Sequence, residues 1–72
     1  RMEQEAAVAL APSLEVSSVH LALIPHYSQE ILCYELRGTA DGQEYLVYLN
    51  AETGAAEEIL QVVVEEEGEA VV

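Results

Sequence analysis

Few side chains in this 72-residue chain have the means to do chemistry. They are His20 and His26, Cys33, and the hydroxyls of Ser17, Ser18 and Ser28, set among fourteen Asp and Glu residues. Two histidines with nearby carboxylates could hold a metal ion, but zinc sites draw on Cys and His at short, regular spacings, and none occurs here. A serine, a histidine and an aspartate could be grouped as a hydrolytic triad, yet no nucleophile elbow or oxyanion-hole pattern accompanies them. Cys33 stands among apolar residues with no cationic neighbour in sequence to favour its thiolate, which points to packing. A calcium site would need a loop of regularly spaced oxygens; the glutamates at 65–67 and 69 read as a solvated run instead. The residues therefore predict a non-enzymatic chain with no catalytic residue, no metal and no cofactor.

Composition narrows the class further. Seventy-two residues make one domain at most, and a domain of that size buries only about 60% of the surface of its unfolded chain. Its stability is expected to be a few kcal/mol at best. A hydrophobic share of 51% is nevertheless too high for a disordered chain. The net charge of −12 repels phosphate backbones and anionic lipid headgroups, which excludes nucleic-acid binding and direct membrane contact by this chain. No run of about 18 apolar residues is present, so the chain itself is expected to be soluble. It enters a helix pattern directly after Arg1 and Met2, and we expect residues 1–72 to be one domain excised from a longer protein.

The elements follow from patterning. Residues 3–11 are rich in helix formers, with acids in the first turn, and Pro12 stops them. Met2, Ala6, Ala9 and Leu10 share a stripe at helical spacing, and about three turns are too short to stand alone in water. The helix is expected to lie on a sheet. Leu14–Pro25 is rich in strand formers, but its apolar parity changes from even to odd at Ser17-Ser18, a bulge or bend. Residues 25–29 read as a turn. Two strands, 30–38 and 43–50, flank Asp41-Gly42, a hairpin signal.

A two-residue loop there sets Leu36 opposite Val47 and Tyr34 opposite Leu49, while a four-residue loop would move the register by two and keep the same faces. One face then carries Leu32, Tyr34, Leu36, Tyr45, Val47 and Leu49 as the core against the helix. The other, mixed face carries Cys33, Glu35, Arg37, Glu44, Leu46 and Tyr48, with Arg37 able to reach Glu35 or Glu44. Asn50 and Gly54 end the third strand in a turn: an Asn side chain bonds its own backbone two residues on, and Gly accepts a positive φ. A last strand over 57–65 is apolar on both parities, as is the first strand through Ala22 and Ile24. A small sheet should have one wet face, so part of the mixed face is expected to be covered by a neighbouring domain or a second copy. Tyr48, Leu46, Ile24 and Val63 are the candidate interface, and Tyr48 is its best anchor. The fold class is thus α+β, one N-terminal helix on a three- to four-stranded antiparallel sheet.

At this point the residues carry a resemblance. Glu-Tyr-Leu-Val-Tyr-Leu-Asn-Ala-Glu-Thr-Gly at 44–54, after a helix and strands, resembles the PepSY domain and its Tyr-x-Val-Tyr-Asp/Asn-Ala-x-Thr-Gly turn. His20–Pro25, Glu30–Glu35 with its Leu-Cys-Tyr-Glu, and Tyr48–Gly54 followed by Glu57-Glu58-Ile59-Leu60 are similar to the C-terminal end of YpeB-like spore germination proteins, over roughly residues 3–68. The resemblance implies a parent with several PepSY repeats, anchored at the spore inner membrane and facing the cortex. It also implies a protein partner, a cortex-lytic enzyme of the SleB type, which the domain supports or protects. The alternative it implies is an inhibitor or intramolecular chaperone of a peptidase or hydrolase, the role proposed for PepSY domains in propeptides. Neighbouring repeats of the parent, or a second copy in a homodimer, are the further partners expected.

Overall fold

The computed structural model describes residues 2–63. Arg1, the end expected for the last strand, the glutamate run and the tail lie outside them. The described elements are α1 (Gln4–Ala9), β1 (Glu15–His26), β2 (Gln29–Ala40), β3 (Gln43–Asn50) and β4 (Ala56–Val62). The strands form one four-stranded antiparallel sheet in the order β1-β2-β3-β4, each paired with its sequence neighbour. Such a meander needs only tight turns, and its two outer strands are β1 and β4.

The central hairpin takes the register of the two-residue loop. Ala40 faces Gln43, Leu36 faces Val47 and Tyr34 faces Leu49. Asp41 and Gly42 take φ of 53° and 78°, the pair of positive values that a two-residue turn matched to strand twist requires. The parity change in β1 is also a bulge: the ladder shifts between Val16 and Ser18, leaving Ser17 unpaired. Its hydroxyl donates instead to the Arg37 carbonyl at 3.0 Å. The bulge keeps Val16 and Val19 on one side of the sheet, opposite Gly38 and Leu36.

Two boundaries differ from the expectation. The turn read at 25–29 narrows to Tyr27-Ser28, with Pro25 and His26 inside β1 and Gln29 inside β2. Proline is tolerated because β1 is an outer strand with one side free of ladder bonds. The helix is six residues, not three turns. Pro12 disfavours helical backbone at Ala11, and the last turn tightens: Leu10 N–H is shared between the Ala6 and Ala7 carbonyls, and Ala11 N–H bonds Val8 at 3.1 Å.

The apolar stripe of the helix is corrected too. Ala7 is fully buried, whereas Ala6, Ala9 and Leu10 are exposed. Alanines at 6, 7 and 9 give no side-chain preference between adjacent stripes, so the anchoring of the chain decides. Met2 N–H donates to the Ala51 carbonyl at 2.6 Å, and the Tyr34 hydroxyl donates to the Met2 carbonyl. With that end tethered, Ala7 joins one buried cluster with Tyr34, Leu36, Val47, Leu49 and Ala51. Met2, Ala11, Leu14, Val16, Val19, Leu32 and Tyr45 border it. This is the helix face of the sheet.

Candidate interaction face

The opposite face is built by alternation. β1 after its bulge contributes Ser18, His20, Ala22 and Ile24; β2 contributes Ile31, Cys33, Glu35 and Arg37. β3 adds Glu44, Leu46, Tyr48 and Asn50, and β4 adds Glu58, Leu60 and Val62. The ladder therefore runs in rows across the sheet: His20, Glu35, Tyr48, Glu58 in one and Ser18, Arg37, Leu46, Leu60 in the next. Among the described residues no helix covers this face, and most of its apolar side chains are half-buried.

Tyr48 stands at the middle of this face. Its hydroxyl donates to Glu35 Oε2 at 3.0 Å. Partial burial pushes its pKa up, and the bonded Glu35 carboxylate, with Glu58 beyond, pushes it the same way. Arg37 Nη1 donates to Glu44 Oε2, the nearer of the two partners its reach allowed. Arg37 is the only Lys or Arg among the described residues.

At the other end of the face, Glu57 gathers two groups. Asn50 Nδ2 donates to its Oε2 at 3.2 Å, and His26 Nε2 lies 3.5 Å from its Oε1. This contact links the first and last strands. Glu57 occupies a second register shift, between Tyr48 and Leu49 of β3, and the extra residue turns its carboxylate to the same side as that of Glu58. Cys33 lies beneath, flanked in the ladder by Ala22 and Asn50 and fully buried. Burial raises its pKa, and the Glu57 carboxylate raises it further. The group is a thiol at neutral pH and a poor nucleophile.

The turn residues behave as their types require. Asn50 Oδ1 accepts from the backbone N–H of Glu52 at 2.8 Å and of Thr53 at 3.0 Å. Gly54 holds φ of 80° and packs where a Cβ would stand 2.9 Å from Leu10 Cδ1. Asp41 and Gly42 close the central hairpin.

Of the candidate interface, Tyr48, Leu46 and Ile24 share the second face. Val63 does not: it lies one residue past β4 and is 69% exposed. Val62, paired with Glu44, occupies the corresponding position. The bulge at Glu57 shifts the parity of β4, a signal that strand patterning alone did not expose. Leu60, on the same face, was missed for the same reason. The serines, histidines and aspartate do not converge: Ser28 and Asp41 lie in turns at opposite ends of β2, and Ser17 and His20 are spent along β1. Among the described residues no group of three or more His, Cys, Asp or Glu side chains is placed to hold a metal ion, and no helix is long and apolar enough to cross a membrane.

A second feature lies on the helix face. Between the chain following α1 and the β3–β4 ladder runs an open groove of about 330 Å³, lined by Leu10, Leu14, Tyr45, Val47 and Ile59 among others, with no charged residue among the described residues of its wall. A smaller hollow of about 220 Å³ opens beside Asn50, between Glu30 and Glu52.

Comparison with known proteins bears on what these faces belong to. No family model matches the chain, and no solved structure matches it. Two curated relatives do. One is the sporulation protein YpeB of Halalkalibacterium halodurans, 43% identical over 56 residues, which cover 76% of this chain and 12% of that protein. The other is the sporulation protein YpeB of Bacillus subtilis, 38% identical over 58 residues, 79% of this chain and 13% of that protein. The chain thus spans about an eighth of the length of the relatives it matches. Over that span it is YpeB-like, homologous to a segment of a sporulation protein.

Proposed function

We propose that this chain is a non-catalytic, PepSY-like interaction domain of a YpeB-like sporulation protein, and that its second face docks on a cortex-lytic enzyme of the SleB type, which it supports or protects. The observation that carries this reading is the uncovered second face. Leu46, Tyr48, Ile24, Leu60 and Val62 present a half-apolar surface on which no further element lies among the described residues, and the Tyr48 ring stands at its centre. An aromatic anchor flanked by aliphatic side chains and rimmed by Glu35, Glu44 and Glu58 has the anatomy of a protein-binding patch. The parent, on this reading, is anchored at the spore inner membrane and faces the cortex.

The test is a titration of the isotope-labelled domain with a SleB-type lytic enzyme, following backbone amide shifts while the enzyme is assayed. Shifts centred on Leu46, Tyr48 and Leu60 with unchanged turnover are expected. Turnover that falls as the domain binds would replace protection by inhibition. Absence of any shift would remove docking from this domain altogether.

A further inference from the structure

The two outer strands offer unlike edges. The edge of β1 is interrupted by the bulge at Ser17 and again by Pro25, which has no N–H to give. The irregularity of β4 sits at its start, at Glu57, and from Glu58 to Val62 the strand pairs regularly with β3. Among the described residues nothing pairs with its outer side.

Past the bulge and the charge of Glu58, that stretch presents bare apolar side chains. Ile59 on the helix face is 61% exposed and Leu60 on the second face 41%, so apolar surface is offered on both sides of the same strand. Edges are ordinarily blunted by lysine, proline or inward charge. An added strand would lay its own side chains beside Ile59 on one face and Leu60 on the other, burying part of both.

Charge specifies the neighbour. The carboxylate of Glu57 is engaged by Asn50 and His26, whereas Glu58 faces Tyr48 and meets no cation among the described residues. The whole chain holds fourteen acidic residues against two basic ones, and one of those two, Arg37, already bonds Glu44. A second copy, itself of net charge −12, would set further acidic side chains against this acidic strand, and those within the screening length of about 8 Å at physiological salt repel. A cationic strand meets attraction at the same place, and opposite charges directly across a ladder stabilise it.

We propose that the free edge of β4, Glu58–Val62, takes a fifth strand from a cationic protein partner: an extended segment with Lys or Arg beside Glu58 and apolar side chains over Ile59 and Leu60. Main-chain hydrogen bonds supply the attachment, and the charge supplies the selectivity. The inference shares with the docking reading above only that the domain binds protein; it uses a different surface.

The test titrates the labelled 72-residue chain with a short Val/Ile peptide flanked by lysines, and with the same core flanked by glutamates. Amide shifts confined to β4 are expected for the lysine peptide alone, lost at high salt. E58K should weaken that binding about tenfold or more and admit the glutamate peptide; E58Q, milder at this exposed site, should weaken it in part. Shifts at β1, equal response to both peptides, indifference to E58K and E58Q, or concentration-dependent shifts of β4 without peptide would each overturn the proposal, the last in favour of a second copy. Shifts at Tyr48 with the lytic enzyme but none at β4 with the lysine peptide would leave the docking face standing and remove the edge. The reverse pair of results would do the opposite.

Discussion

Inner and outer strands of this sheet are alike in composition and unlike in fate. β1 and β2 each have twelve residues, of which six are apolar. In β2, Cys33 and Leu36 are fully buried and Tyr34 nearly so; in β1 no residue is buried, and Leu21 and Leu23 are 51% and 62% exposed. The same contrast separates Val47 and Leu49 of β3 from Ile59 and Leu60 of β4. A side chain on an inner strand is flanked by ladder neighbours on both sides, and near the middle of the helix face Ala7 joins the cluster above it. An outer strand lacks one flank, and the six-residue helix meets β1 only near Val19, whose carbonyl accepts from Gln4 Nε2 at 3.3 Å, leaving Leu21 and Leu23 uncovered. Apolar content alone therefore does not locate the core. In so small a sheet the outer strands keep much of their apolar surface exposed.

Several substitutions would break or sharpen that comparison. Leu36→Ala removes a fully buried side chain and should cost about 2–4 kcal/mol, enough to lower the urea midpoint drastically; a normal midpoint would mean the inner strands do not form the core. Asn50→Ala strips two backbone N–H groups of their acceptor and Glu57 of a donor. A loss of about 1–2 kcal/mol is expected, readable in the same denaturation series. Tyr48→Ala should cost less, about 1 kcal/mol, because the ring is only half-buried, while association with a lytic enzyme weakens. Unchanged association would take Tyr48 out of the interface. Leu23→Ala, on the outer strand, should stay within about 0.5 kcal/mol of the parent; a change as large as that of Leu36→Ala would show β1 to be covered.

Titration gives an independent handle on the inner strands. Cys33 and Tyr48 both have pKa values raised in the folded state, first by burial and then by neighbouring carboxylates, above ordinary values of 9.0 and 10.0. The unfolded chain therefore releases these protons at lower pH than the folded one. Their contribution to stability is fully present below pH 9 and is lost as pH rises through the raised values. Urea midpoints should accordingly fall above pH 9. Alkylation of Cys33 at that pH should be far slower in the folded protein than in urea, and equal rates would show the thiol to be accessible.

Much of the fold was legible because local chemistry decided it. Asp41-Gly42 signalled a hairpin, and with a loop of two or of four residues alternation assigned every residue of β2 and β3 to the same face. The parity change at Ser17-Ser18 marked a bulge because no unbroken strand can place both Val16 and Val19 on one face. Where neighbouring residues were chemically alike, legibility ended. The alanines of α1 could not say which of them faces the sheet, and Val62 and Val63 could not say which of them shares a face with Tyr48. The candidate interface was legible to the same extent: Leu46 and Tyr48 through the hairpin, Ile24 through the bulge, and β4 only in part.

The sequence by itself determined the turns, the strand alternation, the acidic surface and the YpeB-like segments, since each depends on residues close together in the chain. Tertiary structure alone decided the rotation of the helix, through the Met2–Ala51 tether, and the bulge at Glu57 that places Glu57 and Glu58 on one side. It also decided that Glu57 joins Asn50 and His26 above a buried Cys33. The Met2–Ala51 and His26–Glu57 contacts join residues far apart in the chain, and their geometry depends on the twist and register accumulated over the strands between them, which no local pattern of residues encodes.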